Sequence, residues 1–248
     1  MPRKLTLDWI LPGEDFPPVT RAWPATSRAP GLLVAGGSLN AESLQRAYRH
    51  GIFPWFSEGQ PILWWSPDPR MVLEVANFRL HRSLRKTLIQ VRAGGQFEVR
   101  FDNAFEQVIA ACSSDHVRKQ PGTWIGPEIV DAYCELHRNG LAHSVETWID
   151  GQLAGGLYCV GIGQAVFGES MFTRQSNASK IALAALVAFC RQHEIAQIDC
   201  QQNTSHLASL GAHEIERKLF LERVQYAAAK PAPHWRFEPL YWQHLLHF

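Results

Sequence analysis

The sequence predicts an α+β protein with a small, loop-rich N-terminal domain over residues 1–69 and a larger domain over residues 70–248. Residues 1–69 hold 10 of the 15 prolines and show one convincing helix, which starts after Asn40 and ends at Gly51. From about Arg70 onward, strand and helix patterns alternate, and three strand patterns follow in close succession. The larger domain should therefore contain a mixed, mostly antiparallel sheet flanked by helices.

Turn and cap residues delimit the elements of the larger domain. One helix opens with Pro127 in its first turn and stops at Gly140, and a short helix is closed by Gly211. The three successive strands are joined by DG and GIG sequences, which are typical of hairpin turns. The predicted strands are 71–75, 97–101, 143–149, 152–160, 164–171 and 195–201, and the predicted helices are 78–90, one starting at 102, 127–140, 177–193 and 204–210.

Composition argues against several classes of protein. With 24 basic and 23 acidic residues the formal charge is +1, so a nucleic-acid site would have to be local. The five cysteines never form CxxC and the eleven histidines form no HExxH, so we expect neither a disulfide framework nor a metal site. The start is too polar for a signal peptide, and the longest helical apolar run, 181–190, is about half a membrane span. We expect a cytoplasmic protein that requires no cofactor and no membrane.

A basic segment lies in the helix predicted over 78–90. No acidic residue occurs over 75–97, and leucines at every fourth position form a stripe opposite the basic residues. This pattern predicts a surface helix that contacts phosphates, and an ordinary solvated helix face is the alternative. The residues expected in this phosphate patch are Arg82, Arg85 and Lys86.

The order of elements after residue 143 carries a first resemblance. Three antiparallel strands, a helix, a strand and a short helix ending in SLGAHEI resemble the GNAT acyltransferase superfamily. In that superfamily a glycine-containing loop before the helix holds the pyrophosphate of coenzyme A. The corresponding loop here, TRQSNAS over 173–179, has no glycine. We therefore expect an acyl donor other than acyl-CoA.

Longer segments carry a more specific resemblance, in collinear order from about Gly31 to Ile215. They are GLLVAGGSLNAESLQRAYRHGIFPWFSEGQPILWWSPDPRMVL, GTWI, PEIVDAYCELHRNGLAHSVE, GGLYCV, FGESMFTRQSNASKIAL and IDCQQNTSHLASLGAHEI. Together they resemble the leucyl/phenylalanyl-tRNA-protein transferase family. The resemblance implies an enzyme that moves Leu or Phe, and less well Met, from aminoacyl-tRNA to a protein N-terminal Arg or Lys and so marks that protein for degradation.

The same resemblance implies the partners. These are the acceptor ends of Leu-tRNA and Phe-tRNA, and proteins or peptides that begin with Arg or Lys. The phosphate patch would then contact the tRNA acceptor stem, largely independently of sequence. One active site per chain is enough for this chemistry, so we expect a monomer.

Asp199 and Gln201 form the catalytic pair that the resemblance implies. They lie two residues apart on a predicted strand, so their side chains should point to one face of the sheet. We expect Gln201 to accept a hydrogen bond from the attacking amine, while Asp199 either fixes Gln201 or stabilises the positive charge developing on nitrogen. For a DxQ motif alone, the alternative is a turn-capping Asp199 and a solvated Gln201.

Glu169 interrupts an otherwise apolar strand next to Gly168. A carboxylate in such a strand is costly unless it has a partner, so we expect a functional acceptor. The resemblance places it at the donor site, where it could bind the terminal ribose or the incoming cationic side chain. A structural salt bridge is the alternative.

The resemblance also implies the remaining site residues, and their residue types suit Leu and Phe. Both need an apolar cavity, and flexible or branched side chains could accept either one. Trp55 and Trp124 offer flat faces that could stack on the terminal adenosine, whereas we expect Trp64 and Trp65 in the core. The resemblance also places Tyr133 in the substrate site, and the expected cavity lining is Leu157, Val166, Met171, Leu186 and Ile198.

Two other functions stay open at this stage. One is an acyl-CoA-dependent N-acyltransferase of the GNAT superfamily, which the missing glycine disfavours. The other is a non-catalytic tRNA-binding module that uses only the basic helix. Val166 stands where the family often has a larger aromatic residue and Leu157 where methionine is common, so the preference between Leu and Phe stays open.

Overall fold

The computed structural model describes residues 6–114 and 125–246. The N-terminal part contains a four-stranded sheet made of Asp8–Ile10 (β1), Leu32–Gly36 (β2), Phe53–Pro54 (β3) and Leu63–Trp65 (β4). The strand order is β1-β2-β4-β3, and only the β1–β2 pair is parallel. Sequence analysis missed β1, β3 and β4 because two or three residues are too few to show a hydrophobic period, and it missed β2 because that strand is buried along its whole length and shows no alternation.

The one helix predicted in this region is confirmed. It is α1, Ala41–Arg49, and the Asn40 side chain accepts a hydrogen bond from the Ser43 backbone N–H at 2.9 Å. Trp64 and Trp65 are buried, as predicted, and the Trp64 indole N–H donates to the Gly36 carbonyl.

A seven-stranded sheet forms the centre of the molecule. Its strands lie in the order β11-β5-β10-β9-β8-β7-β6, and every neighbouring pair is antiparallel except β9–β10. The predicted α+β class with a mixed, mostly antiparallel sheet is therefore confirmed; β11 was not predicted. The strands are β5 Arg70–Glu74, β6 Phe97–Phe101, β7 Ala142–Ile149, β8 Gln152–Ile162, β9 Ala165–Thr173, β10 Gln197–Gln201 and β11 His213–Ile215.

Helices cover both faces of this sheet. The first lies where a helix was predicted but starts later, because residues 78–81 are not helical and His81, which precedes the helix, is extended. The C-terminal helix α7 was not predicted. The helices are α2 Arg82–Ala93, α3 Phe105–Ser113, α4 Pro127–Arg138, α5 Ala178–Gln192, α6 Ser205–Ser209 and α7 Arg217–Ala228.

The two faces of the sheet belong to separate hydrophobic clusters. One cluster joins residues of α1, α3, α4 and α7 to the small sheet, and includes Phe167 of β9. The other joins α2 and α5 to the opposite face, and includes Val166 and Ile198. Within 6–114 and 125–246, no helix is long and apolar enough to cross a bilayer.

A gap opens between β9 and β10 because their ladder is short. Only Ile198 with Val166 and Asp199 with Phe167 are paired. Each strand then carries a bulge: on β9 the register against β8 shifts around Glu169, and on β10 the register against β5 shifts between Asp199 and Gln201. A bulge bends its strand and re-aims its side chains, and this gap holds the candidate site.

Candidate active site

An apolar cavity of about 260 Å³ occupies the gap between β9 and β10. Its walls come from β8, β9, α5, β10 and α6, and its polar groups include Glu169, Gln201, Thr204 and His206. A largely apolar cavity with a few polar groups matches one uncharged side chain attached to a polar backbone. The apolar walls include Leu157, Met171, Leu183, Leu186, Ile198 and Leu207.

Glu169 receives two hydrogen bonds from neighbouring side chains. The Tyr133 hydroxyl donates to Oε2 and the Gln201 amide Nε2 donates to Oε1, both at 3.1 Å. The Tyr133 hydroxyl is also hydrogen-bonded to the buried Tyr48 hydroxyl of α1. No Lys or Arg forms a salt bridge with Glu169 in the part of the chain that the structure describes. The hydrogen-bond partners of this carboxylate are therefore neutral, and the alternative of a structural salt bridge is not what the structure shows.

The pKa of Glu169 is raised from its ordinary 4.5 to about 7. Burial is the main cause, and the charge of Asp199 adds to it. The hydroxyls of Tyr48 and Tyr133 and the charge of Arg70 act in the opposite direction. Glu169 lies below the surface but faces the cavity, so it can change protonation state near neutral pH.

Asp199 has a different environment on the neighbouring strand. Its Oδ1 accepts from Arg70 Nε at 2.8 Å and from the Gln201 backbone N–H at 3.0 Å, and its Oδ2 accepts from Arg70 Nη2 at 2.6 Å. The side chains of Arg70 and Asp199 are 0% and 1% exposed. Asp199 is therefore enclosed by protein, and its three hydrogen bonds fix both carboxylate oxygens.

Gln201 has a left-handed backbone, with φ of 55°. Its side chain lines the cavity together with Ile198 and Cys200, whereas Asp199 does not. The prediction that Asp199 and Gln201 share one face of a regular strand is therefore wrong. The bulge between them breaks the alternation on which that prediction rested, yet the backbone of Gln201 still bonds directly to Asp199.

Comparison with known proteins shows the family to which the chain belongs. The family model "Leucyl/phenylalanyl-tRNA protein transferase" matches residues 72–225, and the model of its N-terminal domain matches residues 37–68. The chain belongs to the leucyl/phenylalanyl-tRNA protein transferase family. The predicted family resemblance is thereby confirmed.

Curated members of this transferase family match almost the whole chain. The leucyl/phenylalanyl-tRNA–protein transferase of Albidiferax ferrireducens is 62% identical over 240 residues, covering 97% of this chain and 94% of that protein. The transferase of Paraburkholderia phytofirmans is 56% identical over 230 residues, covering 93% of this chain and 94% of that protein. Among solved structures, FemX is similar with a TM-score of 0.45 and 8% identity, covering 71% of this chain and 66% of that one.

Most of the side chains predicted from the family pattern lie together. Glu169 and Gln201 line the cavity, and Tyr133 contacts Glu169 from behind. Of the predicted apolar lining, Leu157, Met171, Leu186 and Ile198 lie on the wall.

Val166 and Trp55 do not lie on the cavity wall. Val166 is 2% exposed and sits opposite Ile198 in the paired part of the ladder, before the strands separate. Trp55 is 38% exposed, and its ring contacts Trp65 at a centroid distance of 5.3 Å. The predicted place of Val166 in the lining is therefore not reproduced by this cavity. Stacking of Trp55 on the terminal adenosine stays a prediction, and Trp124 lies outside the described residues.

The phosphate patch lies on the exposed face of α2. Arg82 and Lys86 are exposed and Arg85 is half-buried, while Leu84 and Leu88 are buried on the opposite side. The amphipathic pattern predicted for this helix is confirmed. Its function in binding phosphates stays a prediction.

Sequence reasoning missed Tyr48 and Arg70. Arg70 had a detectable signal, because it begins the apolar strand RMVL and a charge at such a position must be paired when buried. Tyr48 had none, because an aromatic residue on the apolar face of α1 is ordinarily part of the core.

Proposed function

We propose that the protein transfers Leu or Phe, and less well Met, from aminoacyl-tRNA to the α-amino group of proteins that begin with Arg or Lys. Membership of the transferase family supports the reaction class. The structural observation that carries the proposal is the apolar cavity that ends at Glu169 and Gln201. Such a cavity suits an uncharged donor side chain, with polar groups placed where the ester and amine would meet.

The chemistry needs positioning more than strong acid or base catalysis. The donor is an activated ester, and an α-amino group with an ordinary pKa of about 7.7–8.0 is partly neutral at pH 7. The amine nitrogen forms a bond to the carbonyl carbon, the bond from that carbon to the ribose oxygen breaks, and the proton that the nitrogen loses is balanced by the one that the ribose oxygen gains. Holding the reactants in attack geometry can lower the barrier by roughly 7–11 kcal/mol in well-oriented systems.

Gln201 is the group proposed to orient the amine. Its Nε2 donates to Glu169, so its Oε1 is the amide atom that can accept a hydrogen bond from the attacking nitrogen. Asp199 holds the Gln201 backbone N–H at 3.0 Å. Of the two roles considered for Asp199, this geometry supports fixing Gln201 rather than contacting the amine.

Glu169 is proposed to recognise the cationic side chain of the acceptor. It is the only carboxylate on the cavity wall within the described residues, because Asp199 is enclosed with Arg70. An ionised Glu169 attracts Arg or Lys, whereas an acceptor that begins with Glu would be repelled. The Tyr133 hydroxyl supports the ionised form by donating to it.

The tRNA is proposed to lie across α2, with its terminal adenosine stacked on an aromatic ring. The exposed Trp55 and the predicted Trp124 are the candidates for stacking. Replacing Arg82 and Lys86 by Gln should lower the slope of log affinity against log salt by about 0.7–0.9 per lost phosphate contact. Lys218→Gln, at an exposed position of α7, is the matched control and should leave the slope unchanged.

We also propose that 1–69 and 70–248 form two structural units and that the protein acts in the cytoplasm as a monomer. The two sheets support the division, since one is built from strands before residue 66 and the other from strands after residue 69. One cavity with all the proposed polar groups in a single chain is sufficient for the reaction.

The deciding experiment supplies charged Leu-tRNA and two peptides that differ only in their first residue. Transfer to the peptide beginning with Arg and not to the one beginning with Glu is expected. Equal transfer to both would contradict the acceptor specificity, and transfer to neither would contradict the function. Acetyl-CoA, added with the same peptides, should give no product, since the alternative acyltransferase would need it.

A further inference from the structure

Arg70 is held by an unusually complete set of contacts for a charged side chain. Nε and Nη2 bond the two oxygens of Asp199, and Nη1 donates to the Gly51 carbonyl at 3.0 Å. The guanidinium also lies between the rings of Phe53 and Phe220, at 4.7 and 4.5 Å from their centroids. A fork of donors between two aromatic faces suits arginine and not lysine.

Stability alone is a weak explanation for such a buried pair. Removing two charges from water is costly, and apolar side chains of similar volume often stabilise a fold equally well or better. The pair also occupies a specific place, because Asp199 Oδ1 bonds the backbone N–H of Gln201. Because Gln201 lines the cavity, this contact links the buried pair to the site proposed for the reaction.

The Arg70–Asp199 pair stabilises the unusual backbone conformation of Gln201. A left-handed conformation is unfavourable for a residue with a side chain, so it persists only where neighbouring contacts impose it. The hydrogen bond from Gln201 to Asp199 is such a contact, and Arg70 orients the carboxylate that accepts it. In this conformation the Gln201 amide reaches Glu169 at 3.1 Å.

We propose that Arg70 is a positioning residue for aminoacyl transfer, acting through Asp199 to hold Gln201 in its left-handed conformation beside Glu169. The inference rests on the proposed function. It also makes Arg70 and Asp199 one neutral unit that does not touch substrate. The substrate-facing groups are then Gln201 and Glu169.

The pair also acts on Glu169 electrostatically, with opposite signs. Asp199 disfavours the Glu169 carboxylate and Arg70 favours it. The other groups that face Glu169 are the hydroxyls of Tyr48 and Tyr133, and Cys200 and His206 lie on the same cavity wall. Losing one charge of the pair should therefore shift the titration of Glu169 in a direction set by the charge removed.

The first test is Arg70→Lys, which keeps the charge but loses the fork. We expect the kcat for Leu transfer to an Arg peptide to fall about 100-fold, because misplacement of a reacting group by about 1 Å costs that much. The KM values for both substrates should stay within about threefold, since neither substrate contacts Arg70. Arg191→Lys is the control, because Arg191 bonds only backbone carbonyls of Val75, Ala76 and His244; its activity should be unchanged.

The second test compares Arg70→Gln, Asp199→Asn and the double variant by following the Glu169 carboxyl with ¹³C NMR. The midpoint should rise in Arg70→Gln, fall in Asp199→Asn and return toward the wild-type value in the double variant, whereas kcat should fall in all three. The opposite shifts report the charges of the pair on Glu169, and the split between kcat and KM reports the positioning role. If a single variant does not fold, the kcat of the double variant, which carries no net change in charge, still tests the positioning role.

Three results would overturn the inference. They are wild-type kcat in Arg70→Lys, wild-type kcat in the folded double variant, or midpoints that move in the same direction. Absence of transfer by the wild-type protein would instead overturn the proposed function, so the two failures are distinguishable.

Discussion

Two carboxylates on neighbouring strands, Glu169 of β9 and Asp199 of β10, have opposite surroundings. Asp199 is 1% exposed and bonded to Arg70 through both oxygens. Glu169 faces the cavity, has only neutral hydrogen-bond partners, and has its pKa raised to about 7. A carboxylate that is already neutralised can hold structure, whereas one that titrates near neutral pH can respond to substrate.

The difference shows that Gln201 lies between two unlike surroundings. On the Asp199 side the protein is closed, and the carboxylate bonds the backbone of Gln201. On the Glu169 side the carboxylate and the Gln201 amide face the cavity. Gln201 joins them, because its backbone bonds Asp199 and its side chain bonds Glu169.

The largest expected effect comes from removing the Gln201 side chain, which bonds Glu169. Gln201→Gly keeps the left-handed backbone without strain but removes the amide that orients the amine. We expect kcat/KM for Leu transfer to fall about 10²- to 10³-fold, the range seen when one preorganised polar group is lost. Gln202→Ala, at the exposed neighbouring position, should leave kcat/KM unchanged. A Gln201→Gly enzyme with wild-type kinetics would contradict the role of the amide.

The next effect concerns the free energy of unfolding, which should depend on pH because Glu169 is costly to ionise in the folded protein. Because the folded-state pKa of Glu169 is raised from 4.5 to about 7, folding favours its protonated form. That stabilisation is complete below about pH 4.5 and is lost as the pH rises through 7. Relative to Glu169→Gln, the free energy of unfolding of the wild type should fall by roughly 2–3 kcal/mol between pH 4.5 and pH 8. Urea denaturation at several pH values measures it, and a constant difference would contradict the raised pKa.

A smaller effect should appear in the pH dependence of activity. The ionised fraction of a group with a pKa of about 7 rises roughly tenfold between pH 6 and pH 8. The ratio of kcat/KM in the wild type to that in Glu169→Gln should rise by about the same factor with an Arg peptide. Taking the ratio cancels the titration of the peptide amine. A ratio independent of pH would show that Glu169 does not recognise the acceptor as a carboxylate.

The smallest effect tests the boundary of the cavity. Met171 lies on its wall and Val166 does not. Met171→Ala should change the ratio of kcat/KM for Phe-tRNA to that for Leu-tRNA by about threefold to tenfold in favour of Phe, because the enlarged cavity accepts a bulkier side chain. Val166→Ala should lower stability but keep the ratio. A selectivity change in Val166→Ala alone would place the donor side chain elsewhere.

The predicted elements agree with the structure best where the local chemistry is strong. The strand predicted over 97–101 has the same bounds as β6, and α1 starts directly after Asn40, its predicted N-cap. Agreement fails where an element depends on distant partners. Three of the four strands of the small sheet, and β11, have only two or three residues, so they exist through pairing rather than through propensity.

The sequence by itself determined the α+β class, most of the regular elements of the large domain and, through long collinear motifs, the family. It also brought Asp199, Gln201 and Glu169 to attention. Only the tertiary structure decided that Asp199 is enclosed and Glu169 open, because Arg70 lies 129 positions from Asp199 in the chain. Bulges, burial and charge pairing arise from the packed arrangement, and they override the simple alternation of a strand.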